Sequence, residues 1–441
     1  MPGKKAEITE LDARGGTNFD PVTELPGRAL LEDRMRQAMA RSARESENFA
    51  VLLIDLDRFG TLDETFEDAK GDELLRQFGA RLTEYLRETD TVARFGTDEF
   101  AILQTDLRDP THVATLAQKL LDSLSRPFTV GGHDVHTSAS IGIAVHDPGV
   151  DDVDTLLDRA AQALLQAQEE GGNTYRFHTA ALDATARAQV QLSAELHHAI
   201  EREDLVLHYQ PQIEIESGRT VGLEALVRWE HRERGLIQPD EFIPVAEASG
   251  LIVPLGDWAL RQACHQARTW LDDGVLPELM AVNVSALQFK DQSLVEQVMD
   301  TLAESGLPAE RLEIELTESI VMDSMAGYHA ILGRLKGHGV SFAIDDFGTG
   351  YSSLKYLRTL PVAKLKIDRE FVQGAPGDGN DAAIVRAIVD LGHNLGLTVV
   401  AEGVETEAQL AFLQGLGCDQ AQGDYFSKPL PVDEIDAMLR T

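Results

Sequence analysis

The sequence has little positive charge and almost no cysteine. Lys and Arg number 39 against 74 Asp and Glu in 441 residues, a formal net charge of −35. That balance excludes the cationic footprint on which nonspecific binding to nucleic-acid polymers or anionic membranes depends. The two cysteines, Cys264 and Cys418, stand far apart with no C-x-x-C spacing, so neither a zinc knuckle nor a disulfide framework is on offer, and both are expected as reduced core thiols. No apolar run approaches the roughly 18 residues a membrane-spanning helix needs, and the opening MPGKKAEITELDARGG lacks the apolar core of a secretory signal. A soluble, cytoplasmic protein without membrane insertion is expected. What is present is a globular composition, 43% hydrophobic and 26% charged. At roughly 100 to 200 residues per domain, the length suits two or three domains with their own cores. If so acidic a chain handles an anion, something local must reverse the sign, and a bound divalent metal is the usual device.

Residues 1–19 are polar and glycine-containing and read as a flexible tail. From 20 to 178, helical stretches such as DELLRQFGARLTEYLR alternate with apolar strands such as FAVLLIDL, and TVARF and EFAILQT form a hairpin in the middle. This predicts an α/β sandwich with a mainly antiparallel sheet. Residues 179–204 are amphipathic and read as a linking helix. From 205 to 441 eight strand candidates recur: LVLHY, VGLEALVRW, MAVNVS, RLEIELTE, SFAIDDFG, KLKIDR, LTVVAEGV and CDQAQGDYF. Their number and the helical stretches between them predict a (β/α)8 barrel.

The polar residues of that second half lie within or just after the strands: Glu224, Asn283, Glu315, Asp345, Asp346, Lys366, Glu402 and Gln422. In a barrel, strand ends of one polarity meet at one mouth, so these scattered positions converge. Each acid alone would be an ordinary surface residue of an acidic protein. Gathered together, they raise one another's pKa unless a cation intervenes. Oxygen donors without Cys or His point to Mg²⁺, Mn²⁺ or Ca²⁺. The pair Asp345-Asp346 allows one carboxylate to bridge two ions while its neighbour serves the second. Lys366, a lone cation among acids, would help hold or polarise a water.

The motifs Glu224-Ala225-Leu226, NVS at 283–285, ELTES at 315–319, DDFGTGYSSL at 345–354, KIDR at 366–369, AEGVE at 401–405 and QG at 422–423 stand in this order. With them, residues from about 190 to 441 resemble the EAL family of cyclic di-GMP phosphodiesterases. The resemblance implies that Glu224, Asn283, Glu315 and Asp345 ligate a first metal, and that Asp345 bridges to a second one completed by Asp346 and Glu402. It further implies two Mg²⁺ or Mn²⁺ ions, with Glu224, Lys366 and Glu405 as catalytic residues. Lys366 would contact the nucleophilic water, Glu405 and Gln422 would support the metal and water network, and Arg228 would meet a substrate phosphate. DDFGTGYSSL looks like the loop that couples metal binding to a dimer-forming helix, with Gly348 and Gly350 supplying backbone freedom, so a homodimer is implied. Asp424 departs from the aromatic residue the family more often has after QG. The implied reaction is hydrolysis of cyclic di-GMP to linear pGpG.

DPVTELPGR at 20–28, LLIDLDRF at 52–59 and RFGTDEF at 94–100 resemble the GGDEF family of diguanylate cyclases over residues 20–178. Asp55, Asp98 and Glu99 would be its Mg²⁺ and nucleotide acids. Thr97 replaces the second glycine of the signature, Gly60 and Asp63 replace a Lys and a guanine-reading Asn, and Gln168 and Gly172 replace the Lys and Arg that grip triphosphate. Three lost cations weaken binding of a triphosphate by orders of magnitude, so this domain is expected to regulate rather than catalyse. Arg87 and Asp90 match the spacing of the family's RxxD site for cyclic di-GMP, or are a surface Arg and Asp at a helix end. The rival functions are a non-hydrolysing cyclic di-GMP receptor and a bifunctional cyclase and phosphodiesterase.

Overall fold

The computed structural model describes residues 18–45, 48–57, 59, 68–107, 109, 112–147, 152–202, 204–290, 293–318, 320, 325–348, 357 and 360–440. Most of the expected tail, together with Gly60, Asp63 and Gly350, lies outside these residues. The chain divides into two compact units, between Leu192 and Ser193.

In the first unit, β1 (Asn48–Leu56) is an apolar run, NFAVLLIDL, and is buried along its length. It belongs at the centre of a sheet with both faces covered. It pairs antiparallel with β3 (Glu99–Leu107) and β6 (Ala139–Val145), while β2 (Thr91–Arg94) and β7 (Tyr175–Phe177) form the edges. A two-stranded ribbon, β4 (Phe128–Val130) and β5 (His133–Val135), stands apart from this sheet. Residues of α1 (Arg28–Glu45) and α4 (Val153–Glu169) build the core on one face, and those of α2 (Asp68–Thr83) and α3 (His112–Leu124) build the core on the other. Gly142 of β6 is required by this packing, because a Cβ there would overlap the Ala160 carbonyl of α4. Helix α5 (Ala180–Arg202) occupies the stretch read as a link.

The second unit is a closed eight-stranded barrel. Its strands are β8 (Leu205–Glu214), β9 (Thr220–His231), β11 (Leu279–Asn283), β12 (Leu312–Thr317), β13 (Ser341–Phe347), β14 (Lys364–Ile367), β15 (Thr398–Ala401) and β16 (Gln420–Ala421); β10 (Gly235–Ile237) extends β9 outside the ring. From β9 onward the ring strands are parallel, but β8 runs antiparallel to both β9 and β16. The ring therefore departs from a regular repeat at its first strand. Residues 215–219 are too few for a parallel crossover, which takes a dozen or more residues, so β8 and β9 can only form a hairpin.

Period-two alternation sorts the barrel side chains. Leu312, Ile314 and Leu316 of β12 face outward into the core shared with the helices, among them α7 (Ile252–Asp272), α9 (Leu294–Ser305) and α12 (Gly379–Asn394), while Glu313 and Glu315 lie between them in sequence. Each such apolar side chain contributes roughly 1.5–3 kcal/mol on burial. Cys264 and Cys418 are free and buried, and burial pushes both thiols up to about 12. Among the described residues, no helix is long and apolar enough to cross a membrane.

Candidate active site

Lys366 enters the barrel from β14 with none of its surface exposed. Its Nζ lies 2.6 Å from Glu315 Oε2, 2.6 Å from Glu402 Oε1, 3.2 Å from Asp345 Oδ1 and 3.4 Å from Glu224 Oε2. Three strands and the residue just after β15 thus deliver carboxylates to one ammonium. Glu224 is further held by Asn283 Nδ2, which donates to its Oε1 at 2.7 Å, and by Gln422 Nε2, which donates to its Oε2 at 2.6 Å. Gln422 Nε2 also donates to Gln210 Oε1 at 2.9 Å. The residues named from the strand ends therefore meet.

One ammonium does not balance the acids. Burial, joined by the Glu224 charge, raises Glu315 well above the ordinary carboxylate range against the pull of Lys366, and burial likewise raises Asp345 and Glu402. Burial, the adjacent Asp345 and a hydrogen bond with Asp368 push Asp346 up to about 7. Glu224 is the exception: burial would raise it, but Lys366, Gln422 and Asn283 together hold it below its usual value. Burial would discharge Lys366, yet the surrounding carboxylates keep its pKa well above normal.

The excess negative charge and the hard oxygen donors fit divalent cations. Ligand oxygens of Asp345, Asp346 and Glu402 lie within 4.8 Å of one another, the span a single ion can gather. Asp346 adopts φ +54, the left-handed region that costs a non-glycine residue energy, and donates its N–H to Asp345 Oδ1 at 3.0 Å. That backbone turn aims two consecutive carboxylates at one place. Glu224, Glu315 and Asp345, expected as ligands of a first ion, converge on Lys366 Nζ.

The other candidates lie around this cluster. Arg228 sits on β9 four residues beyond Glu224, 8% exposed, with Nη1 donating to the Val227 carbonyl. Glu405 is exposed; Gln373 Nε2 donates to its Oε1 at 2.9 Å, and its N–H donates to Gln409 Oε1 at 2.8 Å. Asp424 is exposed, 3.9 Å from Lys428 Nζ. Sequence reasoning assigned no role to Gln210, Asp368 or Gln373. Asp368 stood in the KIDR motif two residues after Lys366, and Gln210 directly followed the strand candidate LVLHY. Gln373 carried no signal, because a helix brings it to Glu405.

An EAL domain model matches residues 193–429, more than half of the chain, and a diguanylate cyclase GGDEF domain model matches residues 17–174. The chain belongs to the EAL domain family. It carries a GGDEF domain in tandem with that EAL domain. It is 45% identical over 420 residues to the bifunctional diguanylate cyclase/cyclic di-GMP phosphodiesterase MucR of Pseudomonas aeruginosa, covering 95% of this chain and 61% of that protein. It is 38% identical to the cyclic di-GMP phosphodiesterase NbdA of the same organism, covering 96% of this chain and 54% of that one. The chain therefore spans less than two thirds of either relative. A solved MucR phosphodiesterase in complex with c-di-GMP aligns at 50% identity with a TM-score of 0.54, over 56% of this chain and 99% of that one.

Within the GGDEF domain, Asp55 stands directly opposite Glu99 across the β1–β3 ladder. Burial, then the Asp98 charge, pushes Asp55 up to about 6. Gln168 Nε2 donates to Asp55 Oδ1 at 2.9 Å, so a neutral amide serves this acid. Asp57 accepts from Ser138 Oγ, Ser140 Oγ and the Asn173 N–H at 2.6, 2.7 and 2.9 Å. Gly172 has φ +76, where any side chain is strained, and a Cβ there would stand 2.9 Å from the Asp57 carboxylate, which would have to shift. Thr97, in contrast, is exposed at its turn. Asp90 accepts from the Arg87 and Thr105 N–H groups at 3.1 and 3.3 Å, closing its own turn, and burial raises its pKa. The Arg87 side chain is exposed.

Proposed function

We propose that the EAL domain, residues 205–441 in the boundaries read from sequence, hydrolyses cyclic di-GMP to linear pGpG with two Mg²⁺ or Mn²⁺ ions. The observation that carries this is the convergence of Glu224, Glu315, Asp345 and Glu402 on one buried ammonium, with Asp346 beside them. The names of the relatives support it. Glu224, Asn283, Glu315 and Asp345 would hold one ion, and Asp345, Asp346 and Glu402 the other. Bound there, the ions would neutralise phosphate charge and supply a nucleophile near neutral pH.

The chain's own residues set the geometry. Arg228 forks to a phosphate oxygen and holds the dinucleotide across the mouth. Lys366, held among these carboxylates, would have an N–H free for the attacking water once bound ions take up part of their charge, and would keep it in line with the departing 3′ oxygen. Asn283 and Gln422 hold Glu224 in one rotamer, and Glu405, held by Gln373 and Gln409, supports the outer water network. Chromatography of cyclic di-GMP incubated with the protein and Mg²⁺ or Mn²⁺ tests this: pGpG is expected, and binding without cleavage would favour a receptor.

The GGDEF domain, residues 20–178 joined through 179–204, is proposed as a regulatory module without cyclase activity, on the strength of Gln168 and Gly172. Formation of cyclic di-GMP or pGpG from GTP would favour the bifunctional reading that the name of MucR offers. Cyclic di-GMP binding at Arg87 and Asp90 belongs to the same proposal, and Arg87→Ala should then lower the calorimetric stoichiometry. A homodimer rests on the likeness of DDFGTGYSSL, much of which lies outside the described residues, and sedimentation velocity tests it.

A further inference from the structure

Beneath the acidic cluster the barrel holds a second polar layer. Alternation along β12 and β14 places Glu313 and Lys364 on the same face as Glu315 and Lys366. Lys364 Nζ lies 2.8 Å from Glu313 Oε1, with the two side chains 7% and 0% exposed, and Ser341 Oγ donates to Glu313 Oε2 at 3.2 Å. Gln212 of β8, fully buried, spans the two layers. Its Oε1 accepts from Lys364 Nζ at 3.1 Å, and its Nε2 donates to Glu315 Oε1 at 3.3 Å. Directly across the ladder stands Gly222, where a Cβ would lie 2.7 Å from Gln212 Oε1. The amide occupies space that only a glycine leaves open.

Chemistry allows this amide one orientation. An ammonium can only donate, so Gln212 must turn its oxygen to Lys364 and thereby its NH₂ to Glu315. The flipped amide would face donor to donor on one side and oxygen to carboxylate on the other. Glu315 is consequently held at both oxygens, Oε2 by Lys366 at 2.6 Å and Oε1 by Gln212.

We propose that Gln212 is a positioning residue for the metal site, holding Glu315 through an amide whose orientation Lys364 sets, with the Lys364–Glu313 ion pair as its footing. This rests on the reading of the mouth as a divalent-ion site for phosphodiester hydrolysis. Groups that orient metal ligands commonly change metal affinity ten- to a hundredfold when lost.

The test compares the full chain with its Gln212→Met and Gly222→Ala variants. Mn²⁺ is titrated calorimetrically into chelator-treated protein, and cyclic di-GMP hydrolysis is followed in parallel. Gln212→Met keeps the volume and removes the amide; Gly222→Ala displaces the amide and changes no polar residue. Both are expected to weaken Mn²⁺ binding by about ten- to a hundredfold, and to leave KM for the dinucleotide within about twofold at saturating Mn²⁺. Unchanged Mn²⁺ affinity in folded Gln212→Met overturns the proposal, as does a raised KM with unchanged Mn²⁺ affinity. If Gln212→Met does not fold, Gly222→Ala decides by the same criterion. A wild-type chain that neither binds Mn²⁺ nor cleaves the dinucleotide overturns the reading of the mouth itself, a result distinct from two variants that match an active wild type.

Discussion

Lys366 is, among the described residues, the cation on which these carboxylates converge, and its removal leaves buried acids facing one another. Lys366→Met should therefore cost about 3–5 kcal/mol of stability in the presence of chelator. Urea unfolding checks this, and an unmoved midpoint would refute the electrostatic picture. Glu224→Gln should keep the fold, seen by circular dichroism, and lower hydrolysis by at least about a hundredfold, since second-row orienting partners alone are worth ten- to a hundredfold. Asp346 and Asp55 give a pH dependence whose sign follows from linkage. With pKa values of about 7 and about 6 against an ordinary 3.8, both keep protons in the fold that the unfolded chain has already lost. The unfolded state then binds fewer protons, so stability of the metal-free protein falls as pH rises from about 4 to about 7. Calorimetric midpoints in chelator at pH 5 and pH 8 measure it, and Asp346→Asn should flatten the slope. The identities of these residues were legible from sequence because each sits in or just after a short apolar strand. Gln212 was not legible: a glutamine after LVLHY reads as the polar end of a strand, and only the lumen around it makes it significant.

Helix α13 (Glu407–Leu416) starts with a capping box, Thr406 Oγ1 accepting from the Gln409 N–H while Gln409 Oε1 accepts from the Thr406 N–H. The same Gln409 oxygen takes the Glu405 N–H, so the cap and the candidate catalytic acid share one anchor. Thr406→Ala should lower stability by about 0.5–2 kcal/mol and reduce activity beyond what that loss of stability accounts for; equal activity per folded molecule would separate the two. In the GGDEF domain, Gly172→Arg should not restore a triphosphate grip. It should cost about 1–3 kcal/mol through the left-handed backbone, as urea unfolding would report. Most strands and helices of both domains were legible, since apolar alternation is a local property, but the three-residue strands β4, β5, β7 and β10 are too short to show it and were not. The direction of β8 was not, because a five-residue connection forces a hairpin only once both flanking segments are known to be paired strands.

Each domain has its own hydrophobic core, which makes two cooperative units the expectation for the whole molecule. Scanning calorimetry should resolve two transitions, with Mn²⁺ raising the one that belongs to residues 193–441; a single transition moving as a whole would contradict this. The acidic composition by itself determined that an anionic substrate needs a local reversal of charge, and the motif order determined which carboxylates were available for it. Only the closed barrel decided that four of them share one buried ammonium and that a fully buried amide ties Glu315 to a second ion pair below. Those contacts join residues 21 to 152 positions apart. They arise from closing β8 between β9 and β16, a long-range pairing on which local propensity has no hold.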